Sequence, residues 1–262
     1  MTVTQLDEYT HLVLAPNPSP MTLDGTNTYI LSAPDSDAAI VVDPGPDLAE
    51  HFDAVESVLH ATGTRVQAVI TTHHHLDHAE AAGWADVWGA PLHAFAPHRI
   101  PAQAAPLRDG DAVTVPGVAT TAIYTPGHTS DHVCVHVAET NAVLTGDHVL
   151  GKGTTVILHP DGDMGAYLAS LDRLAKVNAD VLYPAHGPMI ADPAERIAGY
   201  IAHRLEREEQ VLAAIEHGAT TGAEVVARIY GDLAPRLAGA ALATVEAHIA
   251  HLRTQGKLPP SP

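Results

Sequence analysis

Residues Thr71-Thr72-His73-His74-His75-Leu76-Asp77-His78 crowd four histidines and one aspartate into a single short segment. Their pattern is H-x-H-x-D-H, at the end of a run, Val66–Thr71, that reads as a β-strand. In an extended chain, side chains two residues apart point the same way, so His73 and His75 can share one metal ion. Asp77 and His78 fall where the chain turns into the next element and can serve a second ion. Two ions need stand only about 3.5–4 Å apart, a spacing that consecutive ligands in a tight loop can supply. His74 should point away from both neighbours, toward packing or solvent.

Three more segments put a metal-ligand residue type directly after an apolar β-run, beside glycine, proline or both. They are Tyr124-Thr125-Pro126-Gly127-His128-Thr129, Leu144-Thr145-Gly146-Asp147 and Val181-Leu182-Tyr183-Pro184-Ala185-His186-Gly187. Loops carried on a rigid sheet gather functional side chains in this way. Taken singly, Asp147 could be a turn former and His128 or His186 an ordinary polar loop residue.

The elements that must position these loops alternate. Thr28–Leu31 and Ala39–Asp43 read as strands, with Pro44-Gly45-Pro46 ending the second. Leu48–Thr62 reads as a helix, with Phe52, Val55 and Leu59 on one face. Ala79–Trp88 reads as a helix stopped by Gly89. Val113–Val115, Val118–Tyr124, Val133–Val137 and Ala142–Thr145 read as closely spaced strands, Met164–Val177 as a helix and Val181–Tyr183 as a last strand. After Asp192 the pattern is all helical. Asp192-Pro193 suits a helix start, Ile197, Ile201, Leu205, Val211, Leu212 and Ile215 form a stripe, and Ala223–Ile229 and Leu237–Leu252 follow. Two domains are expected, 1–191 and a helical appendage at 192–262.

H-x-H-x-D-H, then P-G-H-T, G-D and P-x-H-G, in that order, resembles the metallo-β-lactamase superfamily, with a site similar to the glyoxalase II type. The opening Asn17–Tyr29 (N-P-S-P-M-T-L-D-G-T-N-T-Y), Thr125–His132 (T-P-G-H-T-S-D-H) and Leu150–Thr155 (L-G-K-G-T-T) resemble more narrowly its lactamase-beta-2-like branch. The resemblance spans almost the whole chain. It implies an α/β fold, an αββα sandwich with metals at one edge, and a winged-helix-like C-terminal appendage. The residues after Gly256 are too few for a full wing, so helices alone are expected there. The resemblance assigns His73, His75 and His128 to one ion and Asp77, His78 and His186 to the other, with Asp147 bridging.

Imidazole and carboxylate ligands suit zinc, and also manganese or iron. Two divalent ions against two aspartates leave a locally cationic site. Water on such ions has its pKa lowered toward about 7, which makes hydroxide available at neutral pH. The expected activity is therefore binuclear metal-dependent hydrolysis, zinc-dependent in the first instance, of a small ester, thioester, lactone or amide. Asp77 and Asp147 would be catalytic as well as ligating, Asp77 by orienting the hydroxide. His132, Lys152 and Asn27 are candidate substrate-facing residues. Hydrogen bonding within the fold is the competing role for His132, a solvated loop position for Lys152 and turn chemistry for Asn27. The alternative activity is cleavage of single-stranded RNA, which the branch resemblance and the appendage favour. An iron-dependent redox reaction is weaker still, because no flavin-domain sequence is present.

Charge weighs against the RNA reading. The chain carries 31 acidic and 13 basic residues, a formal net charge of −18, and nucleic-acid binding relies on lysine and arginine. A single cysteine, Cys134, rules out an internal disulfide or a multi-cysteine metal site and reads as a core residue. The N-terminus lacks a secretory pattern and no apolar run approaches the roughly 18 residues of a membrane span, so a cytoplasmic protein with no membrane partner is expected. Association of copies would use the C-terminal helices. Arg196, Arg204 and Arg207 are expected on a solvated face with Glu206, Glu208 and Glu209, and His51 and His248 at scattered surface or helix positions.

Overall fold

A computed structural model describes residues 2–259. The chain divides into two units. The first holds the chain up to Tyr124, Asp131–Gly153 and Ala179–Pro193; the second holds Thr125–Ser130, Thr154–Asn178 and the chain from Ala194.

The first unit contains every strand of the described residues. β1 (Val3–Gln5), β2 (Thr10–Leu14), β3 (Asn27–Leu31), β4 (Ala38–Val42), β5 (Arg65–Ile70), β6 (Leu92–Ala94) and β7 (Ala105–Pro106) form one sheet in that order. β12 (Val181–Pro184), β11 (Ala142–Gly146), β10 (Val133–Val137), β9 (Val118–Tyr124) and β8 (Ala112–Val115) form the other. Pairing is parallel from β4 to β7 and between β11 and β12, and antiparallel elsewhere. The expected strands all form, within two residues of their predicted ends.

Strands β3, β4 and the Ala68–Ile70 end of β5 are buried on both faces because both are covered. Ile30, Val41 and Val69 pack with Val55, Val58 and Leu59 of α1 (Ala49–Thr62) and Trp84 of α3 (Trp84–Trp88). Tyr29, Leu31, Ile40, Val42 and Ile70 pack with Val113, Val133, Val135 and Leu144 of the second sheet. Each fully buried aliphatic side chain contributes about 1.5–3 kcal/mol, so the strand ends that carry the site are set on a stiff base.

The expected helix Ala79–Trp88 is broken into α2 (Leu76–Ala79), a 3₁₀ turn at Glu80–Gly83, and α3. The cause is a tertiary competitor. Gly45 donates its N–H to the His78 carbonyl at 3.0 Å and accepts from the Ala81 N–H at 3.0 Å, which takes both groups out of a helical ladder.

The second unit is helical: α4 (Met164–Ala175), α5 (Pro193–Glu216), α6 (Gly222–Tyr230) and α7 (Pro235–Thr254). Asp163 caps α4 by accepting from the Ala166 N–H at 2.7 Å, and Thr221 and Glu224 form a capping box on α6. Val211, Ala214, Val225, Val245 and Leu252 make its core. Among the described residues no strand follows Pro184. None of the described helices is long and apolar enough to cross a membrane.

Two expectations about this unit are corrected. Arg204 and Glu208 are buried, at 2% and 6% exposure, on the same α5 stripe as Ile197, Tyr200 and Val211. The Arg204 guanidinium donates to the Thr155 carbonyl and lies 5.3 Å from the centre of the Tyr167 ring, and Lys257 Nζ lies 3.2 Å from Glu208. Built-in partners thus keep charged groups on an inward face. His248, expected at a scattered surface or helix position, lies on α7 but is fully buried there. In the first unit the same holds for His51, whose Nε2 stands 2.9 Å from Thr28 Oγ1.

Candidate metal centre

The carboxyl ends of parallel neighbours β4 and β5 lead to Asp43 and to His73–His78, and those of parallel neighbours β11 and β12 lead to Asp147 and His186. Asp43 is the organising residue that the sequence reading missed. It is buried, in the left-handed region at φ 51. Its carboxylate accepts the Thr72 N–H at 2.7 Å and the Thr72 hydroxyl at 2.8 Å, and lies 2.9 Å from His78 Nδ1. With Nδ1–H held by Asp43, the lone pair of His78 is on Nε2, ready to ligate.

The other imidazoles are set by the same logic. The Thr72 hydroxyl hydrogen goes to Asp43, so Thr72 Oγ1 accepts from His73 Nδ1 at 3.1 Å and the His73 lone pair is on Nε2. His186 Nδ1 donates to the Gly25 carbonyl at 3.1 Å. His73 Nε2 and His75 Nδ1 face each other at 2.9 Å.

His186 Nε2 stands 3.3 Å from Asp77 Oδ2 and 3.2 Å from Asp147 Oδ1; His78 Nε2 stands 3.6 Å and 3.5 Å from the same two oxygens. Zinc–ligand bonds of about 2.0–2.1 Å in a tetrahedron place the ligand atoms about 3.3 Å apart, so these separations fit ligands around one point. His78 Nε2 is buried and makes no hydrogen bond, an arrangement a cation would satisfy. The ligand atoms of Asp77, His78 and His186 all lie within 4.8 Å of one another, and so do those of His73, His75 and Asp147. The donor set therefore fits divalent metal.

Electrostatics point the same way. Burial disfavours the charged form of His78, yet Asp77, Asp147 and Asp43 together push its pKa well above the usual imidazole range. Burial also works against ionised Asp77, but His78 and His186 hold its carboxyl down, at about 2. Carboxylates concentrated around buried imidazoles make a cation-attracting spot.

His128 stands on the Thr125–Ser130 loop of the second unit. Its Nδ1 donates to the Val156 carbonyl at 2.8 Å, which leaves the lone pair on Nε2. Gly127, at φ 137, lets the loop lie against Tyr167, where a Cβ would come within 2.3 Å of backbone. The Ser170 hydroxyl donates to the Pro126 carbonyl at 2.8 Å.

The three candidate substrate-facing residues separate. Lys152 is exposed, beside Gly151, whose N–H donates to the His186 carbonyl at 2.9 Å. His132 is fully buried and its Nε2 accepts the Asp147 N–H at 3.1 Å, so it holds the Asp147 loop. Asn27 is buried too, and its amide donates to the Pro184 and Gly187 carbonyls at 2.8 and 3.0 Å, on either side of His186. Cys134 is buried, as expected, and Tyr183 stacks on Tyr29 with its hydroxyl bonded to Asp7 at 2.7 Å. For Asp43 a sequence signal existed: a carboxylate at the end of a fully apolar strand, before Pro44-Gly45.

The chain is similar to known proteins. The family model described as "Metallo-beta-lactamase superfamily" matches residues 21–186, and that of the "Beta-lactamase associated winged helix domain" matches residues 221–258. The beta-lactamase-like protein 2 homolog of Caenorhabditis elegans is 33% identical over 239 residues, covering 88% of this chain and 79% of its own. An atrochrysone carboxyl ACP thioesterase of Cryptosporiopsis sp. is 32% identical over 240 residues, covering 84% and 71%. A solved metallo-beta-lactamase family protein of Thermus thermophilus superposes with a TM-score of 0.81 at 26% identity, covering 96% of this chain and 95% of that one. With its fold, its ordered His/Asp loops and these likenesses together, the chain belongs to the metallo-beta-lactamase superfamily.

Proposed function

We propose that the protein is a two-metal hydrolase, with zinc as the metal, that cleaves a small thioester or a related ester, lactone or amide. The observation that carries this reading is the approach of His78 Nε2 and His186 Nε2 to the same Asp77 and Asp147 oxygens, at 3.2–3.6 Å. The ligands would be His73, His75 and His128 for one ion and Asp77, His78 and His186 for the other, with Asp147 shared. When bound, the ions supply Lewis acidity toward a carbonyl oxygen and acidify water to a pKa of about 7.

The chain's own groups do the rest. Hydrogen bonds to Asp43, Thr72, Gly25 and Val156 fix His78, His73, His186 and His128 by their Nδ1 atoms, so each presents Nε2 without reorganisation. Asp77, about a third exposed and held ionised by its histidine neighbours, accepts a hydrogen bond from the attacking water and aims it. Lys152 offers an ammonium to an anionic group on the substrate.

The thioester preference draws on the named activity of the Cryptosporiopsis relative. The net charge of −18 weighs against RNA as substrate. The test is a panel of acyl thioesters, esters and lactones, followed by thiol or acid release, with zinc-loaded protein and its Asp147→Ala variant. Thioester turnover abolished by the variant is expected. Inactivity across the panel with cleavage of labelled single-stranded RNA would replace this reading with the nuclease one.

A further inference from the structure

We propose that Asp131 is a positioning residue that, through His74, sets the placement of His73 and His75; the proposal rests on the two-metal reading above. His74 lies between two ligands of that reading, its ring perpendicular to that of His73 with centroids 6.3 Å apart and edge-on to that of His75 at 4.8 Å. Both of its nitrogens are engaged. Nδ1 lies 2.9 Å from Asp131 Oδ1 and Nε2 lies 2.8 Å from Arg99 Nη2. A guanidinium has donors only, so Nε2 accepts from Arg99, and Nδ1 carries the proton that Asp131 receives.

Arg99 Nη1 also lies 3.7 Å from Asp131 Oδ1. Its permanent charge is thus within reach of both the His74 ring and the Asp131 carboxylate. Arg99, His74 and Asp131 thus form a brace in which both His74 nitrogens are engaged. Its carboxylate is 4% exposed, against 21% for His74 and 25% for Arg99, so the grip is anchored from inside.

The brace is one of three consecutive grips. Asp131 holds His74, His132 accepts the Asp147 N–H at 3.1 Å, and the Val133 N–H donates to the Thr72 carbonyl at 2.9 Å. The short entry into β10 therefore fixes the loops that carry His73, His75 and Asp147. Without Asp131 the His74 ring loses its inner partner and the His73–His75 pair loses its spacing, while Asp43 continues to hold His78.

The experiment titrates metal-depleted protein with zinc against a chromophoric chelator and repeats the titration with cobalt to read the ligand-field spectrum. Wild type, Asp131→Ala, Asp131→Asn and Arg99→Met are compared, with thermal unfolding of each metal-free protein. The expected result for Asp131→Ala is affinity lowered about 10–100-fold for one of two equivalents, an altered cobalt spectrum and the other equivalent unchanged. Asp131→Asn keeps an acceptor for His74 Nδ1–H and restores most of that affinity. Arg99→Met, which leaves the buried carboxylate in place, weakens the same equivalent and serves should Asp131→Ala fail to fold. Wild-type affinity for both equivalents in Asp131→Ala and Arg99→Met overturns the proposal, as does equal weakening of both. Absence of binding by the wild type overturns the two-metal reading itself.

Discussion

The backbone N–H of Asp147 points at Nε2 of His132 across 3.1 Å, and His132 is fully buried. The Asp147 carboxylate is thus placed through its main chain, one step removed from its own side chain. Gly146 makes the approach feasible, since a Cβ there would come within 2.6 Å of the same His132 nitrogen. His132→Ala leaves that N–H without its acceptor and opens a space beside it. We expect metal affinity or turnover to fall about 10–100-fold, with His132→Gln recovering part of the loss. Chelator competition and steady-state kinetics check this.

Asp43 serves both stability and the site. It accepts the Thr72 N–H and hydroxyl and holds His78 Nδ1. Asp43→Ala leaves all three buried donors unmatched, and the expected loss is about 3 kcal/mol. For a chain of this length that lowers Tm by about 6–12 °C. Asp43→Asn keeps one carbonyl acceptor and should lose less. Thermal unfolding of the two variants measures the difference.

Lys152 should act on substrate binding alone. Lys152→Met removes a charge from an exposed loop position without touching a ligand. KM for a carboxylate-bearing thioester is expected to rise about 10-fold, the equivalent of one charge-assisted hydrogen bond, with kcat little changed. A neutral thioester of the same length should be unaffected. Paired kinetics on the two substrates decide.

The second unit carries an acid sensitivity. Burial, with Arg204, His251, Arg207 and His203 nearby, lowers the His248 pKa to about 3. Glu208 also faces it, at 4.0 Å from Nδ1. The unfolded chain takes up this proton near pH 6.5, the folded chain only near pH 3. Between those values the unfolded state binds more protons, so stability falls as pH drops from about 6.5 toward about 3 and is level above. His248→Leu should flatten that slope. Tm measured from about pH 4 to 8 on both proteins reads it.

The His/Asp loop residues and the strands before them were legible in the sequence, because short apolar β-branched runs ending in Gly- or Pro-rich turns are local signals. What escaped depends on tertiary partners. β1 is exposed along its whole length and β7 is two residues ending in Pro106, so neither carries an apolar pattern. The break in Ala79–Trp88 comes from Gly45, more than thirty positions away. Asp43 resembles a turn former until its three hydrogen bonds are seen. Arg204, Glu208 and His248 are polar residues on inward stripes, which only their partners can explain.

The central claim is that seven side chains hold two ions, and the most direct measurement is metal content per chain after zinc reconstitution and exhaustive dialysis. Two equivalents are predicted for the wild type, and one for His186→Ala and for His73→Ala, each with the fold retained. A wild type that holds no more than trace metal, or one whose zinc content is unchanged by both substitutions, would contradict the account.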